Sequence, residues 1–303
     1  MTVQNPVRVS TTDDPREILR FAAYESRRGG AALATLVEIR GGAARALGAH
    51  VAVAADGRFC GYVSGGCVET AVAAEATAAV AEGCDRTVMF GEGSPFFDIV
   101  LPCGGGITVA IHVIRQPIVI DAILEQLDRR KEASLLYDRQ EEKLSVIDRP
   151  AGSTLCQNDV ISMVYRPRTR VIVSGQTSEV TMVQRLAEAC EYDVVLHRPE
   201  TKLTDIERMI DRFTAVILLH HDLDIEAEIL AMTLRSPAFY IGALGSTRTH
   251  RNRLVRLNQQ GFSSQAADRI KAPIGLFGPT RDATSLSISA LADVAAAWSD
   301  AYS

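Results

Sequence analysis

The sequence contains no pair of cysteines at C-x-x-C spacing, no long apolar run and no excess of basic charge. Its six cysteines stand at positions 60, 67, 84, 103, 156 and 190, so neither a zinc knuckle nor a thioredoxin-type motif is indicated. No stretch reaches the ~18 uncharged apolar residues that span a bilayer. The 32 basic and 37 acidic residues give a net charge of −5, whereas nucleic-acid binders usually show a basic total or face. We therefore expect no membrane span and no nucleic-acid partner.

A secretory leader is not apparent either. The opening stretch MTVQNPVRVSTTDDPREIL has no charged segment followed by an apolar one. Six cysteines would also make a thin disulfide framework for 303 residues. We expect a cytoplasmic protein with reduced thiols.

The length of 303 residues is about twice that of a typical domain of ~150 and favours two domains. Hydrophobic periodicity predicts helices at 16–28, 67–82 and 117–133, strands at 32–40, 86–90 and 107–114, and a hairpin at 50–63 around Asp56-Gly57. The stretch 134–169 is less regular. From Thr169 onward, short apolar strands alternate with helices, which is typical of a parallel, doubly wound sheet. The expected fold is α/β: an N-terminal mixed α/β domain at 1–150 and a C-terminal Rossmann-like parallel-sheet domain at 151–303.

Two short stretches of the first domain combine cysteine with clustered glycine: SGGCVE at 64–69 and LPCGGGI at 101–107. Glycines let backbone N–H groups turn toward an anion and let a ligand approach closely. Cys67 is expected in the first turn of the helix predicted at 67–82, where free N–H groups and the helix dipole would stabilise a thiolate. Spacing alone leaves two alternatives open for Cys67 and Cys103, a ligand-facing thiol or a small core side chain. The remaining cysteines are interpreted as structural.

These stretches resemble the accessory proteins of the XdhC/CoxI family, which serve molybdenum hydroxylases such as xanthine dehydrogenase and aerobic carbon monoxide dehydrogenase. The likeness runs through ATLVEIRGGAARALGAHVAVAADGRFCGYVSGGCVETAV and LPCGGGI in the first domain. It continues through LLHHDLDIEAEIL, YIGALGSTRTHRNRLVRL and RIKAPIGL in the second. It therefore covers most of the chain, and the motifs together are far more specific than any one of them.

The resemblance implies a chaperone more than a stand-alone enzyme. Such a protein binds the molybdenum cofactor (molybdopterin, in some cases its nucleotide form), protects it while a cysteine desulfurase sulfurates it, and delivers it to an apo-hydroxylase. A homodimer is also implied, and no resident metal site. Cys67 and Cys103 would be the reactive groups. The implied cofactor contacts are Arg45, Ser64, Gly65, Gly66, Cys67, Glu69, Cys103, Gly104 and Gly105. A solvated surface residue is an equally open interpretation of Arg45.

The second domain departs from a nucleotide-binding Rossmann pattern, which requires G-x-G-x-x-G and an acidic residue ~20 positions later. This chain has Ser-Gly-Gln-Thr-Ser-Glu at 174–179, so Thr177 replaces the second glycine, and His197-Arg198 follows the second strand without an acid. Ordinary NAD binding is therefore expected to be weak or absent, although Arg198 leaves a phosphate-bearing ligand open. Two alternatives remain: an NAD(P)-dependent oxidoreductase with Cys67 and Cys103 as redox thiols, and a binding module that has lost cofactor handling.

Overall fold

The computed structural model describes residues 5–92, 94, 104–147, 152–175 and 178–302. The chain divides into two compact units at the junction between Pro167 and Arg168. None of the helices in these ranges is long and apolar enough to cross a membrane.

The first unit is built on a six-stranded sheet. Its strands in chain order are β1 (Val7–Ser10), β2 (Ala31–Arg40), β3 (His50–Ala54), β4 (Arg58–Gly61), β5 (Arg86–Gly91) and β6 (Gly106–Val113). They lie in the order β1-β4-β3-β2-β6-β5, and all neighbours are antiparallel except β1 and β4. The Asp-Gly hairpin between β3 and β4 confirms the sequence prediction.

Three helices cover this sheet: α1 (Pro15–Arg28), α2 (Glu69–Glu82) and α3 (Pro117–Asp128). The side chain of Asp14 accepts a hydrogen bond from the Arg16 N–H and caps the start of α1, as its sequence signal predicts. Apolar side chains of α2 form a core on one face of the sheet. Those of α1 and α3 form a second core on the other face.

The prediction that residues 134–169 are less regular than the rest of the chain was wrong. They contain strands β7 (Ala133–Asp138), β8 (Lys143–Ile147), β9 (Leu155–Gln157) and β10 (Val160–Tyr165). These strands form an antiparallel sheet in the order β8-β7-β10-β9. Alternate side chains of β10, including Ile161 and Met163, join the core formed by α1 and α3. Because β10 pairs with β7, the first unit extends past the predicted boundary at residue 150.

The second unit is a parallel sheet, as predicted. Its strands are β11 (Arg170–Ser174), β12 (Asp193–His197), β13 (Thr214–Leu218), β14 (Tyr240–Ala243) and β15 (Ile270–Lys271), in the order β12-β11-β13-β14-β15. The helices are α4 (Ser178–Ala189), α5 (Leu203–Met209), α6 (Leu223–Arg235), α7 (Thr247–Gln259), α8 (Ser264–Ala267) and α9 (Ala283–Tyr302). Helices α4 and α9 cover one face and the others cover the second. Since β11 lies between β12 and β13, the chain reverses direction across the sheet at β11, where such folds open a crevice.

Candidate functional site

Three loops leave one edge of the six-stranded sheet. They are the segment 41–49 after β2, the segment 62–68 after β4, and Gly104 and Gly105 before β6. Because β2 is antiparallel to β6 and β3 is antiparallel to both β2 and β4, the ends of β2 and β4 lie at the same edge as the start of β6. The fold thus brings the two cysteine-glycine stretches to one edge.

The segment after β2 contacts both stretches. A Cβ at Gly105 would overlap the carbonyl oxygen of Arg40 and come within 2.9 Å of that of Gly42. On the other side, a Cβ at Gly65 would lie 3.5 Å from the Cβ of Ala44. Close backbone approach therefore requires glycine at 105, and the 41–49 segment connects the two stretches that the sequence singled out.

A buried carboxylate holds the loop that carries Cys67. Glu69 is fully buried and accepts hydrogen bonds from the N–H groups of Val63 at 3.1 Å and Ser64 at 2.7 Å. The Ser64 hydroxyl lies 3.0 Å from both carboxylate oxygens and accepts the Cys67 N–H at 3.2 Å. Ser64 and Glu69 were predicted as cofactor contacts, and in the structure their polar atoms bond one another and the loop backbone.

Helix α2 begins at Glu69, so the prediction that Cys67 lies in its first turn was wrong. Val68 is the N-cap residue, and Cys67 belongs to the preceding turn. The cause is the carboxylate of Glu69, which bonds back to residues 63 and 64 and holds the intervening backbone outside the helix.

The Cys67 side chain is exposed, between the buried residues Val63 and Val68. Of the two alternatives for Cys67, the structure therefore supports an accessible thiol rather than a core side chain. The neighbouring Gly66 has a φ of +107°, and a Cβ placed there would find no atom within 4 Å. Gly104 likewise has positive φ and open space around it. The exposed thiol of Cys67 and the open backbone at Gly66 and Gly104 therefore lie at the same edge of the sheet.

The Arg45 side chain is not simply a solvated surface residue, because it contacts Asp13 and the ring of Tyr62. It donates a hydrogen bond to Asp13 at 2.8 Å, and its guanidinium lies 5.1 Å from the ring centre of Tyr62. The guanidinium of Arg8 lies 4.2 Å from the same ring. Nε of Arg45 is buried without a hydrogen-bond partner in the described part of the chain. Two cationic side chains therefore flank the residue that leads into the Cys67 loop, and sequence reasoning missed Arg8 and Tyr62.

The other cysteines differ in accessibility. Cys103, the second predicted reactive residue, lies outside the described residues. Cys60 is buried in the core of the first unit, and burial raises the pKa of its thiol to about 12. Cys84 and Cys190 are exposed. Exposure therefore distinguishes Cys67 from Cys60 but not from Cys84, which is also exposed and lies at the opposite end of α2.

In the second unit, three polar side chains meet at the carboxyl edge of the parallel sheet. The hydroxyl oxygen of Ser174 lies 2.8 Å from Nδ1 of His197 and 2.8 Å from Nε2 of His220. The altered glycine turn at 176–177 lies outside the described residues, so weak NAD binding stays a prediction. No group of three or more His, Cys, Asp or Glu side chains in the described ranges is placed to hold a metal ion.

Comparison with known proteins covers both units. A family described as the XdhC and CoxI family matches residues 25–91, and an XdhC Rossmann domain matches residues 171–294. The molybdenum cofactor insertion chaperone PaoD of Escherichia coli K12 is 45% identical over 291 residues, which is 96% of this chain and 91% of that protein. A crystal structure described as a xanthine dehydrogenase from Bacillus halodurans shares the fold, with a TM-score of 0.76 at 20% identity over 95% of this chain and 96% of that one. The motifs, the fold and these matches agree, and the chain belongs to the XdhC/CoxI family.

Proposed function

We propose that this protein is a chaperone that binds the molybdenum cofactor at the Cys67 loop and delivers it to a molybdenum hydroxylase of the xanthine dehydrogenase or carbon monoxide dehydrogenase type. One observation carries the proposal: an exposed thiol on a loop that a fully buried carboxylate holds in place. The similarity to a cofactor insertion chaperone supports it.

The donor set at this sheet edge fits such a cargo. A thiolate is a soft ligand that suits molybdenum, and Cys67 is accessible for that contact. The open backbone at Gly66 and Gly104 suits pterin or phosphate oxygens, since no side chain blocks their approach. Cys103, next to Gly104 in the sequence, would supply the second thiol.

Arg45 would bind a phosphate group of the cofactor, with or without a nucleotide attached. Its guanidinium fork matches phosphate geometry. The phosphate would compete with Asp13 for the same guanidinium. Ser64 and Glu69 act in this proposal as positioning residues, because their polar atoms are engaged within the loop.

The same proposal includes the partners that the family implies. The bound cofactor stays on the protein while a cysteine desulfurase sulfurates it, and the apo-hydroxylase then receives it. We further propose a homodimer that works in the cytoplasm.

The test is cofactor loading in a host that makes molybdopterin. Wild type, Cys67→Ala and Cys84→Ala would each be purified, and bound pterin would be measured by fluorescence after oxidation and molybdenum by mass spectrometry. Cys84 is the matched control because it is exposed, in the same unit, and at the other end of α2. We expect pterin and molybdenum on wild type and Cys84→Ala, and most of both lost from Cys67→Ala.

Equal loading of Cys67→Ala and wild type would contradict the proposal. Reconstitution of an apo-hydroxylase with each variant tests delivery, and adding a cysteine desulfurase tests the sulfuration step. Saturable NADPH binding with turnover of the cofactor would favour the oxidoreductase alternative instead.

A further inference from the structure

The loop after β15 presents two large apolar side chains to solvent on a fixed backbone. Leu276 is 57% exposed and Phe277 is 52% exposed. The hydroxyl of the fully buried Ser289 in α9 accepts the Phe277 N–H at 3.0 Å and donates to the Phe277 carbonyl at 2.5 Å. The Leu276 N–H donates to the Ser289 carbonyl at 3.0 Å. A Cβ at Gly275 would lie 2.4 Å from the Ser289 hydroxyl oxygen, so this close approach requires glycine.

Helix α7 begins beside this loop and carries a concentrated positive charge. Its first residue, Thr247, lines a cavity of about 740 Å³ together with Leu276 and Phe277. Among the described residues, no Asp or Glu lines this cavity. The helix contains four arginines and no acidic residue, although the whole chain has a net charge of −5. An exposed apolar loop therefore adjoins a basic helix.

Two of the four arginines face solvent without a counter-charge. Arg253 and Arg256 pair with carboxylates of α6. Arg248 and Arg251 are exposed and form no ion pair within the described part of the chain. They stand three positions apart and so share one face of the helix, which Val255 continues four positions later at 57% exposure.

This arrangement is unfavourable for the free helix. Arg248 lies in the first turn of α7, where the helix dipole favours an acidic side chain. It also has a like charge, Arg251, as its neighbour on the same face. A departure from local preference with no compensating contact inside the protein is typical of a functional surface.

We propose that Leu276, Phe277 and the exposed face of α7 form the surface on which the apo-hydroxylase docks, through a region of its own surface that combines carboxylates with an apolar pocket. The proposal rests on the function proposed above, because it assigns the place where delivery begins. Phe277 is the anchor that becomes buried, since an aromatic ring on a fixed backbone loses little conformational entropy. Arg248 and Arg251 pair with carboxylates at the rim, which speeds association more than it strengthens the complex.

Charge complementarity favours this occupant over two others. If two copies of the chain met symmetrically through this face, the same arginines would approach each other, which is repulsive. A nucleic acid would be repelled by the net charge of −5 outside the helix. An acidic protein surface with an apolar pocket satisfies both the arginines and the exposed apolar side chains. Rim charges around a small apolar anchor also suit a complex that forms quickly and dissociates after transfer.

The experiment measures binding of the cofactor-loaded full chain to an apo-hydroxylase by surface plasmon resonance at low and high salt. Phe277→Ala should weaken binding about tenfold or more, mainly through faster dissociation. The double variant Arg248→Glu/Arg251→Glu should associate about tenfold more slowly at low salt, and high salt should remove most of the difference. Trp298 fluorescence in urea shows whether the second unit stays folded. The single variant Arg248→Glu should be at least as stable as wild type, because an acid suits the first turn of a helix.

Arg208→Glu and Ile225→Ala are the matched controls. Both residues are exposed and belong to the same unit, but Arg208 lies on α5 and Ile225 lines a different cavity. Each control should bind the apo-hydroxylase within about twofold of wild type, as expected for a surface residue outside an interface.

Equal binding by Phe277→Ala and wild type, or an unchanged association rate in the double arginine variant, would overturn the proposal. A change in the oligomeric state of Phe277→Ala without a loss of hydroxylase binding would identify a second copy as the occupant and would also overturn it. Loss of binding to a cysteine desulfurase alone would have the same consequence. Pterin and molybdenum loading should stay at the wild-type level in every variant, so failure of the docking surface is distinguishable from failure of cofactor binding at the Cys67 loop.

Discussion

Replacing Glu69 by alanine should destabilise the first unit strongly and the second unit not at all. The side chain is fully buried and accepts hydrogen bonds from the N–H groups of Val63 and Ser64 and from the Ser64 hydroxyl. Each buried donor left without a partner costs ~1–3 kcal/mol, so the two backbone donors and the hydroxyl together give a loss of about 3–9 kcal/mol. That is a large part of the ~5–15 kcal/mol that stabilises an ordinary domain.

The two units can be followed separately in one sample. The single tryptophan, Trp298, lies in α9 and packs against Phe213 and Phe239, so its fluorescence reports the second unit. Far-UV circular dichroism reports helices and strands of both units. In urea, Glu69→Ala should lower the midpoint of one circular dichroism transition while the fluorescence transition stays at its wild-type position.

Glu69→Gln separates shape from charge. Its amide oxygen can still accept from Val63 and Ser64, so the expected loss is about 1–2 kcal/mol, the difference between charged and neutral acceptors. A loss below about 1 kcal/mol for Glu69→Ala would refute the reasoning, since it would mean that the carboxylate does not hold the loop. A parallel shift of the Trp298 signal would refute the assignment of the effect to the first unit.

Three further predictions concern buried ionisable side chains. Burial would raise the pKa of Asp85, but hydrogen bonds led by that from His112 outweigh it and lower the pKa to about 2. This carboxylate therefore contributes ~2 kcal/mol to the free energy of unfolding, and this contribution is present above pH ~4 and lost as the pH falls toward 2. In unfolding measurements across this pH range, the stability of Asp85→Asn should depend less on pH than that of wild type. Burial lowers the pKa of His50 to about 4. Because the ring takes up a proton below pH ~6.5 in the unfolded chain but stays neutral in the folded one, the free energy of unfolding falls as the pH drops. Urea unfolding of the first unit should show a loss of about 2 kcal/mol between pH 7 and pH 5. Glu226→Ala leaves the buried Arg253 without its carboxylate and should cost ~3–5 kcal/mol, seen in the tryptophan fluorescence transition alone.

Hydrophobic periodicity predicted the elements that are long and regular. The parallel sheet of the second unit follows from short apolar strands that alternate with helices, and the structure confirms it. The antiparallel sheet β8-β7-β10-β9 escaped prediction because its outer strands are short and mostly solvent-facing, as in Leu155–Gln157. Strands of that kind depend on pairing with distant segments rather than on their own pattern.

Polar contacts across the fold were harder to predict than the motifs themselves. The sequence identified Glu69 as part of the SGGCVE stretch, but only the structure shows that its carboxylate faces the loop backbone. The contact between Ser174 and His197 could have been predicted from the sequence, because the parallel strands β11 and β12 end at the same edge of the sheet. The two residues are register partners in these strands. The Arg8 guanidinium and the Tyr62 ring meet through the pairing of β1 with β4, which no local pattern indicated.

The contrast between Cys60 and Cys67 explains why a prebuilt loop matters for a cofactor chaperone. Cys60 lies within β4 and is buried in the core, where burial raises the pKa of the thiol to about 12 and keeps it protonated. Cys67 lies in the loop that follows β4, and it is exposed because Glu69 and Ser64 fix the turn between β4 and α2. A loop that is already ordered loses little conformational entropy when it binds a ligand. Glu69→Ala should therefore lower cofactor loading even though the Cys67 thiol is intact, whereas Glu69→Gln should retain most of it. Full loading of Glu69→Ala would mean that the thiol acts without the loop that presents it.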